Sequence, residues 1–108
     1  MDGIGQDMMK TTPTPGDILP LICEQAGVLK ARFAVRKIGL FGSTIRGEAR
    51  PDSDVDVLVE FEVPTFDHYM DLKFYLEELF NRPVDLVTIA SLKPRLRESI
   101  LREVRYAA

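Results

Sequence analysis

The sequence predicts a single α/β domain, of the α+β type, in which helices flank a small mixed sheet of three to four strands. Its length of 108 residues suits one domain. Apolar residues make up 45% of the chain and charged residues 29%, proportions typical of a globular protein. Segments with helical periodicity alternate with short β-branched runs, which predicts the element order α-β-α-β-α-β-α.

The first helix is predicted over residues 17–33. Asp17 can cap its first turn, and Pro20 would then fall within that turn, where a missing N–H is tolerated. The preceding residues, 1–16, are mostly polar and contain Gly and Pro. We therefore expect a flexible N-terminal segment before a domain that spans residues 17–108. The apolar positions at helical spacing are Ile18, Ile22, Ala26, Leu29 and Phe33.

The middle of the chain predicts two strands around a short helix. The run "AVRKIGLFG" is rich in strand-forming residues and ends at Gly42, so it is predicted as strand 1. The stretch "STIRGEAR" predicts a short helix that begins at Ser43 and has Gly47 near its end. After the turn residues "PDS", the alternating run "DVDVLVEFEV" predicts strand 2.

The last third of the chain predicts two more helices around a third strand. Pro64 ends strand 2, and "TFDHYMDLKFYLEELF" has the spacing of an amphipathic helix. The run "VDLVTI" is predicted as strand 3. The segment "SLKPRLRESILREVRYA" is predicted as a final helix, with Pro94 near its start.

Charge, hydropathy and cysteine usage narrow the functional classes. The net charge is −3, and aromatic residues suited to base stacking are lacking near the candidate site described below, so direct nucleic-acid binding is disfavoured. No apolar run approaches the roughly 18 residues that span a membrane. The single cysteine, Cys23, lies in an apolar run and is expected to be a buried thiol, which favours a cytoplasmic protein.

The junction between strand 1 and the short helix is a candidate anion site. The first N–H groups of a helix lack internal partners and carry the positive end of its dipole. A phosphate can approach the backbone closely at Gly42, and the Ser43 hydroxyl adds a donor. Arg46, one turn further along, can add charge against a triphosphate. The simpler alternatives are a helix cap at Ser43 and a surface arginine that pairs with Glu48 or Asp52.

Three aspartates form the second part of the candidate site. Asp54 and Asp56 would share one face of strand 2, about 6.6–6.8 Å apart, and repel by about 1–2 kcal/mol at an effective dielectric of about 20. A solvent-exposed strand start is the simpler interpretation of this pair. Asp85 joins them only if strand 3 runs parallel to strand 2, and Ser43 joins them only if strand 1 runs antiparallel to it. We therefore predict a mixed sheet in which these residues meet at one edge.

Clustered carboxylates predict metal-dependent chemistry on phosphates. Mg²⁺ prefers oxygen ligands and commonly bridges protein carboxylates to substrate phosphates. A pair of ions stabilises the attacking and leaving oxygens of phosphoryl or nucleotidyl transfer. Asp54 and Asp56 would hold both ions. Asp85 would complete one metal site and help to deprotonate the attacking hydroxyl.

The stretch "GSTIRGEARPDSDVDVLVEF" has the form G-S-x-x-R-G-x-x-x-x-x-S-D-x-D-x-x-V. It resembles the defining motif of the DNA polymerase beta-like nucleotidyltransferases and, more closely, that of the minimal nucleotidyltransferases of bacteria and archaea. The resemblance covers roughly residues 17–106. It implies the nucleotidyltransferase fold, catalytic and metal-binding roles for Asp54, Asp56 and Asp85, and a set of nucleotide- or phosphate-binding residues. That set is Gly42, Ser43, Arg46 and Ser53.

The resemblance also implies an activity and a partner. Family members use a nucleoside triphosphate with Mg²⁺, two ions being expected here, transfer a nucleoside monophosphate to a hydroxyl and release pyrophosphate. Minimal members often accompany a HEPN-domain toxin. In such pairs the nucleotidyltransferase is the antitoxin and attaches AMP from ATP to a tyrosine of the toxin. The resemblance thus implies an adenylyltransferase antitoxin of a toxin-antitoxin pair.

Two other functions remain open at this point. The protein could be a non-catalytic antitoxin that neutralises its partner by occlusion, or a transferase acting on a small-molecule or RNA hydroxyl. Activity that depends on the aspartates would separate the enzyme from the binding module. The sequence leaves the nucleotide, the acceptor and the choice between a homo- and a hetero-oligomer undecided.

Overall fold

A computed structural model describes residues 14–50 and 53–107. Within this part, the helices are α1 (Pro15–Phe33), α2 (Ser43–Arg46), α3 (Phe66–Phe80) and α4 (Pro94–Glu103). The strands are β1 (Val35–Phe41), β2 (Val55–Phe61), β3 (Val84–Thr88) and β4 (Arg105–Tyr106), and a 3₁₀ turn (Ile89–Ser91) follows β3. The predicted flexible segment lies outside the described residues over 1–13.

The four strands form one mixed sheet in the order β3-β2-β1-β4. β1 and β2 are antiparallel, with Phe41 opposite Asp56. β2 and β3 are parallel, with Asp56 opposite Asp85. Both strand directions that the sequence predicted are therefore confirmed. They bring the end of β1 and the beginnings of β2 and β3 to the same edge of the sheet.

The hydrophobic core lies on one face of the sheet, under α1 and α3. The alternating positions of β2 that face it, Val55, Val57 and Val59, are fully buried. Burial of each such side chain stabilises the fold by about 1.5–3 kcal/mol. The helical residues that close the core are Ile18, Ile22, Leu29, Phe33, Leu72, Leu76 and Phe80. Because strand side chains alternate, Asp56 is directed to the opposite face, away from this core.

Helix α1 begins one turn earlier than the cap prediction placed it. Thr14 is the N-cap and Pro15 the first helical residue. The Asp17 carboxylate accepts from the Thr14 backbone N–H at 3.3 Å and from its hydroxyl at 2.8 Å, so the prediction that Asp17 is the cap is wrong. Pro20 consequently lies inside the helix rather than in its first turn. Its missing N–H leaves the Gly16 carbonyl without the usual intrahelical donor.

The chain end differs from the predicted long final helix. Helix α4 stops at Glu103, and Val104 is already extended. β4 then pairs antiparallel with β1, where Gly39 faces Tyr106. A Cβ atom at Gly39 would lie 2.6 Å from the Arg105 carbonyl oxygen, so the close approach of β4 requires glycine there. This pairing satisfies backbone groups on the outer edge of β1 and fixes the end of α4 beside the site edge.

The side chain of Cys23 is exposed, so the prediction of a buried thiol is wrong. The neighbouring Ile22 is turned fully into the core. One residue along a helix rotates the side chain by about 100°, which carries Cys23 to the solvent side. Separately, none of the helices in the described ranges 14–50 and 53–107 has the length and apolar character needed to cross a membrane.

Candidate active site

The turn between β1 and α2 depends on a glycine. Gly42 has φ 76° and ψ −151°, a backbone conformation that side chains disfavour. A Cβ atom there would also collide with the Asp56 carboxylate. The backbone at the end of β1 is thus in direct contact with the acidic residue opposite it, which no other residue type would allow.

Helix α2 is a single turn whose amino end faces the site edge. The Gly42 carbonyl accepts from the N–H groups of Ile45 at 3.1 Å and Arg46 at 3.0 Å. The N–H groups of Ser43 and Thr44, at the first two helical positions, have no intrahelical acceptor. Ser43 itself is half-buried. These two N–H groups and the Ser43 hydroxyl are therefore suited to an anion, as predicted for a phosphate.

The register of the sheet brings two of the three predicted acids together. Asp56 lies opposite Asp85 on the neighbouring parallel strand, and such strands are about 4.8 Å apart. Asp54 does not lie on the strand as predicted. The β2 ladder begins at Val55, whose N–H donates to the Pro83 carbonyl at 3.0 Å, and Asp54 is exposed just before it. Asp54 therefore approaches from a turn rather than from the strand face.

The electrostatics of the acids centre on Asp56. Burial raises the pKa of its carboxyl above the usual range, and the negative charges of Asp85 and Asp54 raise this pKa further. An ionised Asp56 is therefore held in an unfavourable environment by the protein alone. A cation bound beside Asp56 would instead make the ionised form of its carboxyl electrostatically favourable.

The three aspartates are suited to supply part, but not all, of the coordination shell of a Mg²⁺ ion. In the described part of the chain, no three His, Cys, Asp or Glu side chains are already arranged to hold a metal ion. Mg²⁺ typically takes one or two carboxylates and completes its octahedron with waters and substrate phosphates. Carboxylate oxygens from Asp54, Asp56 and Asp85 beside an anion-binding turn match that requirement. The residues present thus fit a metal that arrives with a nucleotide.

Arg46 is held by two glutamates. Its Nε donates to Glu48 Oε1 at 3.0 Å, and its Nη1 donates to Glu103 Oε1 at 2.9 Å. The Gly42 N–H donates to the other Glu103 oxygen, Oε2, at 2.9 Å. This backbone donor, followed by the Arg46 guanidinium, lowers the pKa of the Glu103 carboxyl. The pairing of Arg46 with Glu48 was anticipated from the sequence, whereas the contribution of Glu103 was not.

Sequence reasoning missed Glu103 because no local pattern leads to it. It is 61 residues away from Gly42 along the chain, and the sequence predicts it inside a long final helix. The only available signal was the carboxylate itself near the chain end. Its position at the site follows from the end of α4 and the pairing of β4 with β1.

Ser53 lies in the turn that leads into Asp54. Its hydroxyl accepts from the Arg50 backbone N–H at 2.9 Å, and its own N–H donates to the Arg50 carbonyl at 3.0 Å. These contacts give Ser53 a role in shaping the turn. Its contact with a phosphate stays a prediction.

The arrangement as a whole joins an anion-binding turn, a fixed arginine and carboxylates from adjacent strands. A polyphosphate at this turn would meet Ser43 and Arg46, with Asp56 and Asp85 on the neighbouring strands and Asp54 just before β2. The chemistry it can support is displacement at a phosphorus atom, with charge neutralised by cations.

Comparisons with known proteins agree with this fold. The family model for the nucleotidyltransferase domain matches residues 22–107. The protein adenylyltransferase MntA of Thermococcus cleftensis is 52% identical over 79 residues, which are 72% of this chain and 80% of that protein. The solved structure of a candidate minimal nucleotidyltransferase is 43% identical and has a TM-score of 0.71. That match covers 82% of this chain and 92% of the other.

A third comparison shows the fold alone. It is a chain from the complex of a tri-AMPylated HEPN toxin of Shewanella oneidensis with an MNT antitoxin, which is 19% identical with a TM-score of 0.60. The match covers 83% of this chain and 71% of that chain. Together with the family match and the MntA relative, these findings show that the chain belongs to the nucleotidyltransferase domain family.

Proposed function

We propose that this protein is a Mg²⁺-dependent adenylyltransferase that moves AMP from ATP to a tyrosine hydroxyl of a HEPN toxin and thereby acts as its antitoxin. The observation that carries this proposal is the register of the sheet, in which Asp56 lies between the Gly42 turn and Asp85. The MntA relative is named a protein adenylyltransferase, which supports a protein acceptor. The AMPylated HEPN toxin of the S. oneidensis complex supports the kind of partner.

The proposed reaction is an in-line displacement at the α-phosphorus of ATP. The acceptor oxygen forms a bond to this phosphorus, and the bond from it to the pyrophosphate oxygen breaks. Ser43 and the N–H groups of α2 bind the departing phosphates, and Arg46 supplies positive charge beside them. Asp85 accepts the proton from the attacking hydroxyl. Asp54 and Asp56 would hold Mg²⁺, which neutralises phosphate charge when it is bound.

The exposure of the site edge supports an acceptor held by another protein. The described residues form one sheet with its flanking helices, and the acids lie at an edge of that sheet. Asp54 and Asp85 are exposed there. A tyrosine on a partner can approach such an edge, and a small-molecule acceptor would need a pocket beside these acids. The reaction would take place in the cytoplasm, where ATP is available.

Transfer of label from ATP to the partner tests this function. The protein is incubated with a HEPN partner, Mg²⁺ and ATP labelled at the α-phosphate, and mass spectrometry identifies the modified residue. We expect AMP on a tyrosine and no transfer from ATP labelled at the γ-phosphate. Asp54→Ala should lower the transfer rate by about 10²–10³-fold, as loss of one charge-stabilising group does in other enzymes.

Asp71→Asn is the matched control, because Asp71 is an exposed carboxylate on α3, outside the site edge. It should transfer AMP at the wild-type rate. No labelling by wild-type protein, or unchanged labelling by Asp54→Ala, would refute the enzymatic function. An Asp54→Ala protein that transfers nothing yet still neutralises the toxin would establish occlusion instead.

A further inference from the structure

The carboxylate of Glu103 connects the end of the chain to the phosphate-binding turn. One of its oxygens accepts from the Gly42 N–H and the other from Arg46 Nη1, each at 2.9 Å. Gly42 precedes α2, so this contact leaves the N–H groups of Ser43 and Thr44 available for another anion. Glu103 thus fixes the turn through the Gly42 N–H and leaves the N–H groups at the start of α2 free of this contact.

The same contacts fix the orientation of the Arg46 guanidinium. Glu48 accepts from Nε, and Glu103 accepts from Nη1. Two of the three guanidinium nitrogens of Arg46, Nε and Nη1, thus make hydrogen bonds to carboxylates among the described residues. A guanidinium is a rigid planar fork, and two fixed nitrogens set the direction of the third. An unfixed arginine would lose this direction and would pay more conformational entropy when it binds a phosphate.

The position of Glu103 is itself fixed by the fold. It is the last residue of α4, the following Val104 N–H donates to the Ile100 carbonyl at 2.9 Å, and β4 starts immediately afterwards. β4 pairs with β1 at Gly39 and Leu40, close to the turn. The Glu103 carboxylate is therefore held in position by α4 on one side and by the pairing of β4 with β1 on the other.

The ion pair between Glu103 and Arg46 lies partly in solvent. The ion pair with Arg46 is about half exposed on the arginine side, 49%, and such pairs contribute little to folding stability.

We propose that Glu103 is a positioning residue for nucleotide binding, which orients Arg46 and the Gly42 turn toward the triphosphate. This role rests on the proposed function, because it assumes that Arg46 binds the phosphates. The opposite role is a carboxylate that occupies a phosphate position and must be displaced. Both roles predict an effect on nucleotide affinity, but with opposite signs.

Nucleotide binding by Glu103→Gln distinguishes them. Glutamine keeps an acceptor for the Gly42 N–H but loses the charged partner of Arg46. Titration calorimetry with Mg²⁺ and a non-hydrolysable ATP analogue should give a dissociation constant about tenfold higher than that of wild type, the size expected for a lost charge-assisted hydrogen bond. The melting temperature should stay within about 3 °C of wild type, since the ion pair is partly exposed to solvent.

Two further variants separate positioning from a general loss of charge. Glu98→Gln makes the same charge change on the same helix, at an exposed pair with Arg102, and should bind the nucleotide as wild type does. In an Arg46→Ala background, Glu103→Gln should change the affinity by less than about twofold, because the residue through which it acts is gone.

The outcomes identify which idea fails. Wild-type protein that binds no nucleotide would refute the proposed function itself. Wild-type binding that Glu103→Gln leaves unchanged would refute the positioning role alone. Tighter binding by Glu103→Gln would also refute it, and would show that the carboxylate competes with the triphosphate. If Glu103→Gln lowers the melting temperature strongly, Glu103→Asp, which keeps the charge, should recover the affinity of wild type at least in part, and no recovery would refute the role.

Discussion

Replacing Asp56 with Asn should abolish AMP transfer and at the same time stabilise the folded protein at neutral pH. The carboxylate is half-buried beside Asp85 and Asp54, which raise its pKa after the larger effect of burial. Ionised Asp56 therefore lowers the free energy of unfolding, whereas a neutral amide of the same shape does not. Because Asp56 is a proposed metal ligand, this change should lower the transfer rate by about 10³-fold or more.

The stabilisation by Asp56→Asn should depend on pH in a definite direction. Since the pKa of Asp56 is higher in the folded than in the unfolded chain, its contribution to stability is fully present below the unfolded pKa and is lost as pH rises through the folded pKa. Wild type and Asp56→Asn should therefore differ most near pH 7 and converge at acidic pH. Because solvent screens a half-exposed group, we expect a rise of only about 2–4 °C in melting temperature near pH 7.

Thermal unfolding followed between acidic and neutral pH, with and without Mg²⁺ and ATP, measures this effect. The ligands should raise the melting temperature of wild type more than that of Asp56→Asn, because only wild type has all of the proposed metal ligands. The exposed Asp71→Asn should melt as wild type does at every pH. A lower melting temperature for Asp56→Asn at pH 7 would contradict the electrostatic account of the site.

Replacing Gly42 with Ala should damage both stability and activity. The new Cβ would collide with the Asp56 carboxylate, and the backbone would have to keep a φ of 76°. Strain and overpacking of this kind each cost about 1–3 kcal/mol. Relief of the collision must move either the turn or Asp56, so we expect transfer to fall by at least about 100-fold, in line with the sensitivity of catalysis to small displacements.

Gly47→Ala is the matched control for Gly42→Ala. Gly47 has the same φ of 76°, yet a Cβ atom there would meet nothing within 4 Å. This variant should therefore show only the cost of left-handed backbone, about 1 kcal/mol, and retain most of the activity. Denaturant unfolding and the transfer assay applied to both variants separate backbone strain from the collision. Equal loss of activity in the two would contradict the importance of the contact between Gly42 and Asp56.

The sequence predicts those parts of the fold that follow from the local spacing of apolar residues or from the need of candidate site residues to lie close together. The alternation of Val55, Val57 and Val59 identified β2, and the apolar spacing identified α1 and α3. The requirement that Asp85 and Ser43 meet the acids of the second strand predicted both strand directions. A chemical constraint thus supplied pairing information that periodicity alone does not contain.

The errors arose where local signals were ambiguous. Asp17 looks like a cap, but an acid at the third helical position of a capping box has the same appearance, and Thr14 with Pro15 begins the helix. The helical pattern before Arg105 continues without a stop signal, so β4 was read as helix. Its strand conformation depends on pairing with Gly39, far away in the chain. For the same reason, the contact of Glu103 with the turn could not be predicted from local sequence.

The most direct test of the account is a crystal structure of the protein with Mn²⁺ and a non-hydrolysable ATP analogue, with the metal located by anomalous scattering. The account predicts a metal about 2.0–2.2 Å from carboxylate oxygens of Asp54 and Asp56, and phosphates at the amino end of α2 beside Ser43. A nucleotide bound elsewhere, or one bound at this turn with the metal away from both aspartates, would contradict it.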